Sequence, residues 1–324
     1  MKTPDRIIAL LYDRDRWWSL DDLAATAGVG AVRLDRAMAE LKRRGHQMEF
    51  SPTAGIRLQR PPALDAGLIE RGLNTHRVGR HVLCFPVVDS TNDTAAAATR
   101  QRGSDGLAVL AEAQRAGRGR RGRHWLSPPG ANVLMSVLLK DPRGRLSAEA
   151  ITIAAGLAVA EGLEKAVGAT LNCRLKWPND VLLDGKKLAG VLIERRRAGR
   201  GSCLVIGMGV NVNAHPPASR VKTPAISLAE HLGELTDRIP LIRGILRRLD
   251  HWIVSLAADT PRAAGRVRRQ WLCRCEMLNE RFTIAAGRRR HTGRVVDIDP
   301  LDGITLLTDE GTRIHVAATD ATVV

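Results

Sequence analysis

The spacing of apolar residues changes twice along this 324-residue chain, and no single layer of secondary structure satisfies all three patterns. The first stretch repeats apolar residues at helical intervals, the middle alternates strand-like runs with helices, and residues 281–324 keep a period of two broken by turn pairs. A chain of this length also exceeds what one hydrophobic core usually serves. The expectation is a multi-domain α+β protein.

In the first segment, Arg6 to Tyr12 carries Ile7, Ile8, Leu10 and Leu11, and Ser19 caps a second helix with Asp21 and Asp22 in its first turn. Gly28-Val29-Gly30 supplies a turn into a third helix, Ala31 to Arg44. That helix buries Leu34, Met38 and Leu41 while Arg33, Arg36, Glu40 and Arg43 face outward, and Gly45 ends it. Met48 to Phe50 and Ile56 to Leu58 form a hairpin across Ser51-Pro52-Thr53-Ala54-Gly55. This order is that of a winged helix-turn-helix, with Arg33, Arg36 and Arg43 as the DNA-facing cations. A three-helix protein-docking module fits the same pattern, because Asp35 and Glu40 put negative charge near the groove face. Pro61-Pro62 marks the exit, giving segments 1–62, 63–279 and 280–324.

In the middle segment Val82 to Val88, Leu107 to Ala113, Asn132 to Leu139, Leu188 to Ile193 and Cys203 to Gly207 read as strands, and Asp93 to Arg102 and Ala148 to Val167 as helices. The last segment reads as strands at Phe282 to Ile284, Thr292 to Ile298, Ile304 to Leu307 and Arg313 to Val316, with Asp302-Gly303 and Glu310-Gly311 between. So short an all-β unit is expected to be a small barrel packed on its neighbour.

The net charge of +16 points to anionic partners, and its placement matters more than its size. Residues 1–60 carry +3 and residues 281–324 none, so +13 lies in residues 61–280 between them. Cys84, Cys173, Cys203, Cys273 and Cys275 form no CxxC pair and no zinc spacing, as expected of thiols in a reducing cytoplasm. The apolar stretch after Met1 is closed by Asp13 to Arg16, too short for a signal sequence, and no uncharged run approaches the roughly 18 residues of a membrane span.

Gly117-Arg118-Gly119-Arg120-Arg121-Gly122-Arg123 mixes guanidinium forks with bare backbone amides, a combination suited to phosphates and carboxylates, although a basic surface loop reads similarly. Its glycines formally match a dinucleotide fingerprint, but Pro128-Pro129-Gly130 follows where a helix is required. A Walker motif is excluded by the lack of GKS or GKT. Asp89-Ser90-Thr91-Asn92 ends a strand and caps a helix, offering hydroxyl, amide and backbone donors or simply an N-cap. Gln114 stands just before the loop. Trp177-Pro178 fixes a turn that presents Lys176, Asn179 and Asp180, a pattern an ordinary β-turn explains except for the Lys-Trp. Lys186-Lys187-Leu188-Ala189-Gly190 and Gly207-Met208-Gly209-Val210-Asn211 each bring glycine to a strand end, where a ligand can approach the backbone.

Taken in order, Ser90-Thr91-Asn92, the Gly117–Arg123 loop, Lys176 to Asp180, Lys187 to Gly190 and Gly207 to Asn211 resemble the motif set of biotin protein ligases. With a winged helix ahead and a small barrel behind, the chain is similar to the bifunctional form that is also the biotin operon repressor. The resemblance implies a central α/β domain of the class II synthetase-like, biotin/lipoate ligase type and a C-terminal SH3-like β-barrel. It also implies that ATP, with Mg²⁺, and biotin give biotinyl-5'-adenylate and pyrophosphate, and that a lysine of the biotin carboxyl carrier protein of acetyl-CoA carboxylase then attacks the anhydride.

By motif match, Ser90, Thr91, Asn92 and Gln114 hold the biotin head, and Arg118, Gly119, Arg120, Lys187 and Gly190 bind its carboxylate end and the phosphate. Arg123, Lys176, Asn179, Asp180 and Asn211 fall on the nucleotide and Mg²⁺ side, with Asp180 orienting metal or acceptor amine. The loop glycines suggest disorder in the empty enzyme and closure on ligand. The family further implies a homodimer through the central domain, with biotin as corepressor at operator DNA.

The chain departs from the family at two places. The wing tip is Thr53-Ala54-Gly55-Ile56, without lysine or aromatic, and the recognition helix opens Gly30-Ala31-Val32-Arg33, without serine or threonine. A ligand-sensing regulator without catalysis, or a lipoate ligase, are the alternative readings. A regulator would not need both Lys187 and the complete arginine loop, and the Gly117–Arg123 motif argues against a lipoate ligase.

Overall fold

A computed structural model describes residues 2–141, 147–168, 171–198, 201–221, 223–258, 260–287, 289–318 and 321–323. The chain opens with α1 (Thr3–Asp13), α2 (Leu20–Ala27) and α3 (Ala31–Arg43), followed by the hairpin β1 (Met48–Ser51) and β2 (Gly55–Leu58). Ser19 caps α2 by accepting the Asp22 amide at 3.0 Å, and Gly28 closes that helix in the left-handed region at φ 61°. Ile7, Ile8, Leu11, Leu23, Leu34 and Leu41 fill the space between the helices. Ala37 takes the third buried place on α3, and Met38, read as buried, is only half so. The backbone of Trp18 pairs with Ile56 through two 2.8 Å hydrogen bonds. That contact is why residue 55 is glycine: its φ is 96°, and a Cβ there would lie 2.0 Å from the Trp18 carbonyl oxygen.

After α4 (Ala66–Glu70) come β3 (Val82–Val88), α5 (Thr91–Ala97), β4 (Ala108–Gln114), β5 (Val133–Asp141), α6 (Ala148–Val167), β6 (Arg174–Lys176), β7 (Asp180–Leu183), β8 (Lys186–Ala198) and β9 (Gly201–Val210). Among the described residues these strands form one sheet in the order β3-β4-β5-β9-β8-β7-β6, parallel only between β3 and β4. The helix expected from Asp93 to Arg102 is α5 continued by a tight turn at Ala98–Arg100. α7 (Leu228–Leu232), α8 (Arg238–Ala258) and α9 (Thr260–Cys273) complete the region.

One face of the sheet packs on α6, which is apolar nearly all round because α8 and α9 cover its outer side. Two glycines permit that closeness: a Cβ on Gly162 would lie 2.5 Å from the Ile245 amide nitrogen, and one on Gly244 would lie 2.4 Å from the Gly162 carbonyl oxygen. The opposite face divides along its length. At one end α5 covers it, Ala95 and Ala98 packing with Val109, Leu138 and Val205. Two and four residues along the same strands, the face carries Ser136 and Leu134 on β5 and Gly207 and Gly209 on β9, and it is left open.

The last region is β10 (Arg281–Ala286), β11 (Arg289–Asp299), β12 (Gly303–Leu307), β13 (Arg313–Ala317) and β14 (Ala321–Val323). The strands pair antiparallel in the order β13-β12-β11-β10-β14, so the unit expected as a small barrel has one more strand than its sequence showed. Its interior, Ile284, Val295, Ile298, Ile304, Leu306 and Val316, is continuous with the core of the central region.

Candidate active site

The open part of the sheet face is the floor of a cavity of about 570 Å³, inside the range of about 300–1,000 Å³ typical of small-molecule sites. At its head end stand Ser90, Thr91 and Asn92, all buried, where α5 begins. Gln114, at the end of β4, accepts the Thr91 amide at 2.8 Å through Oε1 and lies 3.1 Å from the Thr91 hydroxyl. Ser136, from the floor, donates to Asn92 Oδ1 at 2.6 Å and sits 2.7 Å from Thr91 Oγ1. This end is polar and neutral.

The other end is cationic. Lys187 Nζ pairs with Asp180 Oδ1 at 2.6 Å and lies 5.7 Å from the centre of the Trp125 ring. Asp180 is the one acidic side chain lining the cavity among the described residues. Asn179 is held by its amide donating to the Val191 carbonyl at 2.6 Å, and Asn211 lines the wall with its Oδ1 buried and unpartnered. Gly190 faces the same space: a Cβ there would come within 3.2 Å of Lys187 Nζ and of the Trp125 ring.

Between the two ends the Gly117–Arg123 segment arches over the cavity as a folded turn. Gly119 N–H donates to Arg123 O at 2.7 Å, Trp125 N–H to Gly117 O at 3.0 Å, and Arg121 and Gly122 take φ of 56° and 70°. Its three lining arginines have different surroundings. Arg118 is bound to Asp93 by two bonds of 2.6 and 2.7 Å and to Glu194 at 3.2 Å, so its guanidinium anchors the turn to α5 and β8 and is not a free clamp. Arg120 has no ion pair within 4.0 Å among the described residues. Burial lowers its pKa, as do the neighbouring charges of Arg121 and Arg123, against the pull of Asp180. A cation so placed favours an incoming anion. Arg123 lines the mouth and is exposed.

The sequence reading placed Lys176 with the nucleotide, and the structure puts it elsewhere. Lys176 Nζ lies 5.4 Å from the centre of the Phe282 ring on β10, outside the cavity lining. The reason lies in the hairpin: Lys176 pairs with Asp180 across the β6–β7 turn, while Trp177 between them is buried against the C-terminal sheet, its indole N–H on Pro300 O at 3.4 Å. The Lys-Trp pair thus holds the turn that presents Asn179 and Asp180.

Four residues were missed or misread. Trp125 was given no role from the sequence, yet its ring roofs the floor, and a Cβ on Gly209 would lie 2.4 Å from it. Ser136 is a lone polar residue inside an apolar strand run, which was the available signal, whereas Glu194 ends the Val191–Ile193 run and opens the charged stretch Glu194–Arg197, which carries no such signal. A Cβ on Gly207 would lie 2.4 Å from Asn92 Oδ1, so that glycine makes room for a side chain of the protein itself.

On α3, Arg33, Arg36 and Val32 are exposed, whereas Arg43 is engaged with Glu40 at 2.7 Å. Glu40 also binds Arg44 at 3.2 Å, which offsets much of the negative charge that weighed against a nucleic-acid face.

The open sheet with a mixed polar and cationic cavity is that of the biotin/lipoate A/B protein ligase family, whose model matches residues 84–211. Within that class, the bifunctional ligase/repressor BirA of Bacillus subtilis is 36% identical over 223 residues, 68% of either chain. The biotin--[acetyl-CoA-carboxylase] ligase of Paracoccus denitrificans is 35% identical over 71% of this chain and 95% of its own. The biotin protein ligase of Aquifex aeolicus, solved in complex with biotin and ATP, superposes with a TM-score of 0.64 at 27% identity, covering 75% of this chain and 98% of that one. The chain belongs to the biotin protein ligases.

Proposed function

We propose that the cavity activates biotin with ATP to biotinyl-5'-adenylate and passes the biotinyl group to a lysine of the carboxyl carrier protein of acetyl-CoA carboxylase. The observation that carries this reading is the polarity of the cavity: a neutral head end at Ser90, Thr91, Asn92 and Gln114, and a cationic end at Arg120 and Lys187. A carboxylate tail on an uncharged polar head fits that order.

The chemical obstacle is the approach of a carboxylate to an anionic α-phosphate. Two unit charges at 4 Å repel by about 4 kcal/mol at an effective dielectric near 20. Lys187, and Arg120, which has no carboxylate partner among the described residues, supply the positive charge between them and stabilise what builds up in transfer. The turn and the Trp125 ring exclude water from the anhydride. Asp180, released from Lys187 as that lysine turns to the phosphate, is placed to orient the attacking amine.

Asn179, Asn211 and Arg123 complete the nucleotide side. Among the described residues no group of three or more metal-ligating side chains is present, so Mg²⁺ would be carried by the triphosphate, with Asp180 as the carboxylate available to it. Mg²⁺ would supply charge neutralisation of the phosphates.

The division into 1–62, 63–279 and 280–324 assigns DNA binding, catalysis and support of the Asp180 turn to successive units. Repression of biotin genes through Arg33 and Arg36, by a homodimer paired through the central domain, rests on the bifunctional relatives and on the exposed cations of α3. No helix among the described residues is long and apolar enough to cross a membrane.

Incubation with ATP, Mg²⁺ and biotin, with lipoate in parallel, tests the reading. Pyrophosphate release with biotin alone is the expected result, and release with lipoate in its place would move the chain to the other branch of the family.

A further inference from the structure

Glu194 stands on β8 two residues beyond Leu192, on the same face but outside the cavity lining. Its Oε2 accepts the Asn92 amide N–H at 2.7 Å and an Arg118 N–H at 3.2 Å, and its Oε1 accepts Arg196 at 2.9 Å. Asn92 is held from its other side by the Ser136 hydroxyl, 2.6 Å from Oδ1, and from below by Gly207, where a Cβ would collide with it. The way the Asn92 amide faces is thereby set, Nδ2 toward Glu194 and Oδ1 toward Ser136. Arg118 is the first arginine of the arching turn, and its backbone bridges to His124 at the far end. A single carboxylate oxygen is thus shared by a group in the head pocket and by the base of the arginine turn.

Burial works to raise the Glu194 carboxyl, but the Asn92 hydrogen bond and the Arg118 and Arg196 charges outweigh it and hold it below the usual carboxylate range. It is ionised at neutral pH, so its bond to Arg118 is charge-assisted.

We propose that Glu194 is a positioning residue that couples the head pocket to the arginine turn, because one oxygen holds both Asn92 and Arg118. A head group that bonds Asn92 shifts the amide against that oxygen, and Arg118 responds. Biotin alone then tightens the turn over the site where ATP is to react. The inference rests on the reading of the cavity as the biotin site.

The test uses the full chain. Trypsin cleavage within Arg118–Arg123 is timed with and without biotin, in the absence of ATP, in wild type, Glu194→Gln, Arg118→Gln and Asp93→Asn. Biotin binding by calorimetry, melting temperature, and the KM for biotin and kcat of pyrophosphate release are measured alongside. In wild type, biotin should slow cleavage by about tenfold, the factor expected for one charge-assisted hydrogen bond. Glu194→Gln and Arg118→Gln should each abolish that difference; Glu194→Gln should raise KM by about tenfold and leave kcat within about threefold. Asp93→Asn, which loosens Arg118 without touching Asn92, should speed cleavage in both states and keep the biotin effect. The coupling is overturned if Glu194→Gln retains wild-type protection and KM, or if Asp93→Asn loses the biotin effect equally, since Glu194 would then be only one anchor among several. Absence of biotin binding in wild type would overturn the cavity reading and the coupling with it.

Discussion

In the proposed mechanism Lys187 is the ammonium that faces the reacting charges, and it already pairs with an anion, Asp180, at 2.6 Å. Lys187→Ala should lower adenylate formation by on the order of a hundredfold, because a desolvated phosphate loses a charge partner that water does not replace. Pre-steady-state pyrophosphate release checks this, and an unchanged rate removes Lys187 from the chemistry. Arg120 differs from Arg118 in having no carboxylate partner among the described residues, so its loss should act on retention of the product. Arg120→Gly is expected to keep adenylate synthesis detectable while biotin appears on unrelated lysine-rich proteins. A variant as selective as wild type would contradict that role. The neutral head end and the two cations were legible as residue types at strand ends. The assignment of each arginine was not, since Asp93 and Glu194, which claim Arg118, are distant from it in sequence.

At the scale of elements, the strands with unbroken apolar runs were readable, β3 over its whole length and β9 over its centre, and α6 was read over Ala148 to Val167 as it stands. α8 escaped notice although Ile239, Ile242, Ile245, Leu249 and Trp252 repeat at helical spacing. Pro240 in its first turn, Gly244, and the interleaved Arg243, Arg247 and Arg248 disguise it as loop. Gly244 belongs to the α6–α8 contact, which no local rule reveals. Gly162→Ala puts a methyl 2.5 Å from the Ile245 backbone, so the helices must part. The expected loss is about 1–3 kcal/mol of unfolding free energy. Urea denaturation measures it, and a change under about 0.5 kcal/mol would mean the helices part without cost.

The whole molecule joins its N-terminal region to the central one through polar contacts as well as a shared core. Tyr12 donates to Asp237 at 2.7 Å, Arg44 lies 3.4 Å from Asp65, and Arg238 bridges Glu112 at 2.5 Å and the Pro62 carbonyl at 3.4 Å. Burial of Asp65 favours its neutral form, but hydrogen bonds from His46 and the Leu68 amide and the charge of Arg44 prevail, and its pKa is lowered. A lowered carboxyl contributes stability that is present above the unfolded value of about 3.9 and is lost as pH falls through the folded one. The melting temperature should therefore drop on acidification below about pH 4, and Asp65→Asn should lower it at neutral pH while flattening that limb. An unchanged acid limb in the variant would place the titration elsewhere. Deleting residues 1–60 removes the exposed Arg33 and Arg36 but leaves Pro62, Glu112 and Arg238 in place. Ligase activity should survive and all DNA binding should be lost. For the intact chain, a mobility shift on the upstream region of its own biotin genes should be adenylate-dependent and should weaken steeply with salt. A ligase without that complex would carry a helical unit that serves only packing.

The central claim is that this cavity makes and holds an acyl-adenylate. Wild type and Lys187→Ala are incubated with biotin, ATP and Mg²⁺ without acceptor, and the retained small molecules are identified by mass after gel filtration. The account predicts biotinyl-5'-adenylate on the wild-type chain, little on the variant, and prompt loss from wild type when a biotin carboxyl carrier domain is added. Intact biotin and ATP recovered from the wild-type chain, with no adenylate formed, would contradict it.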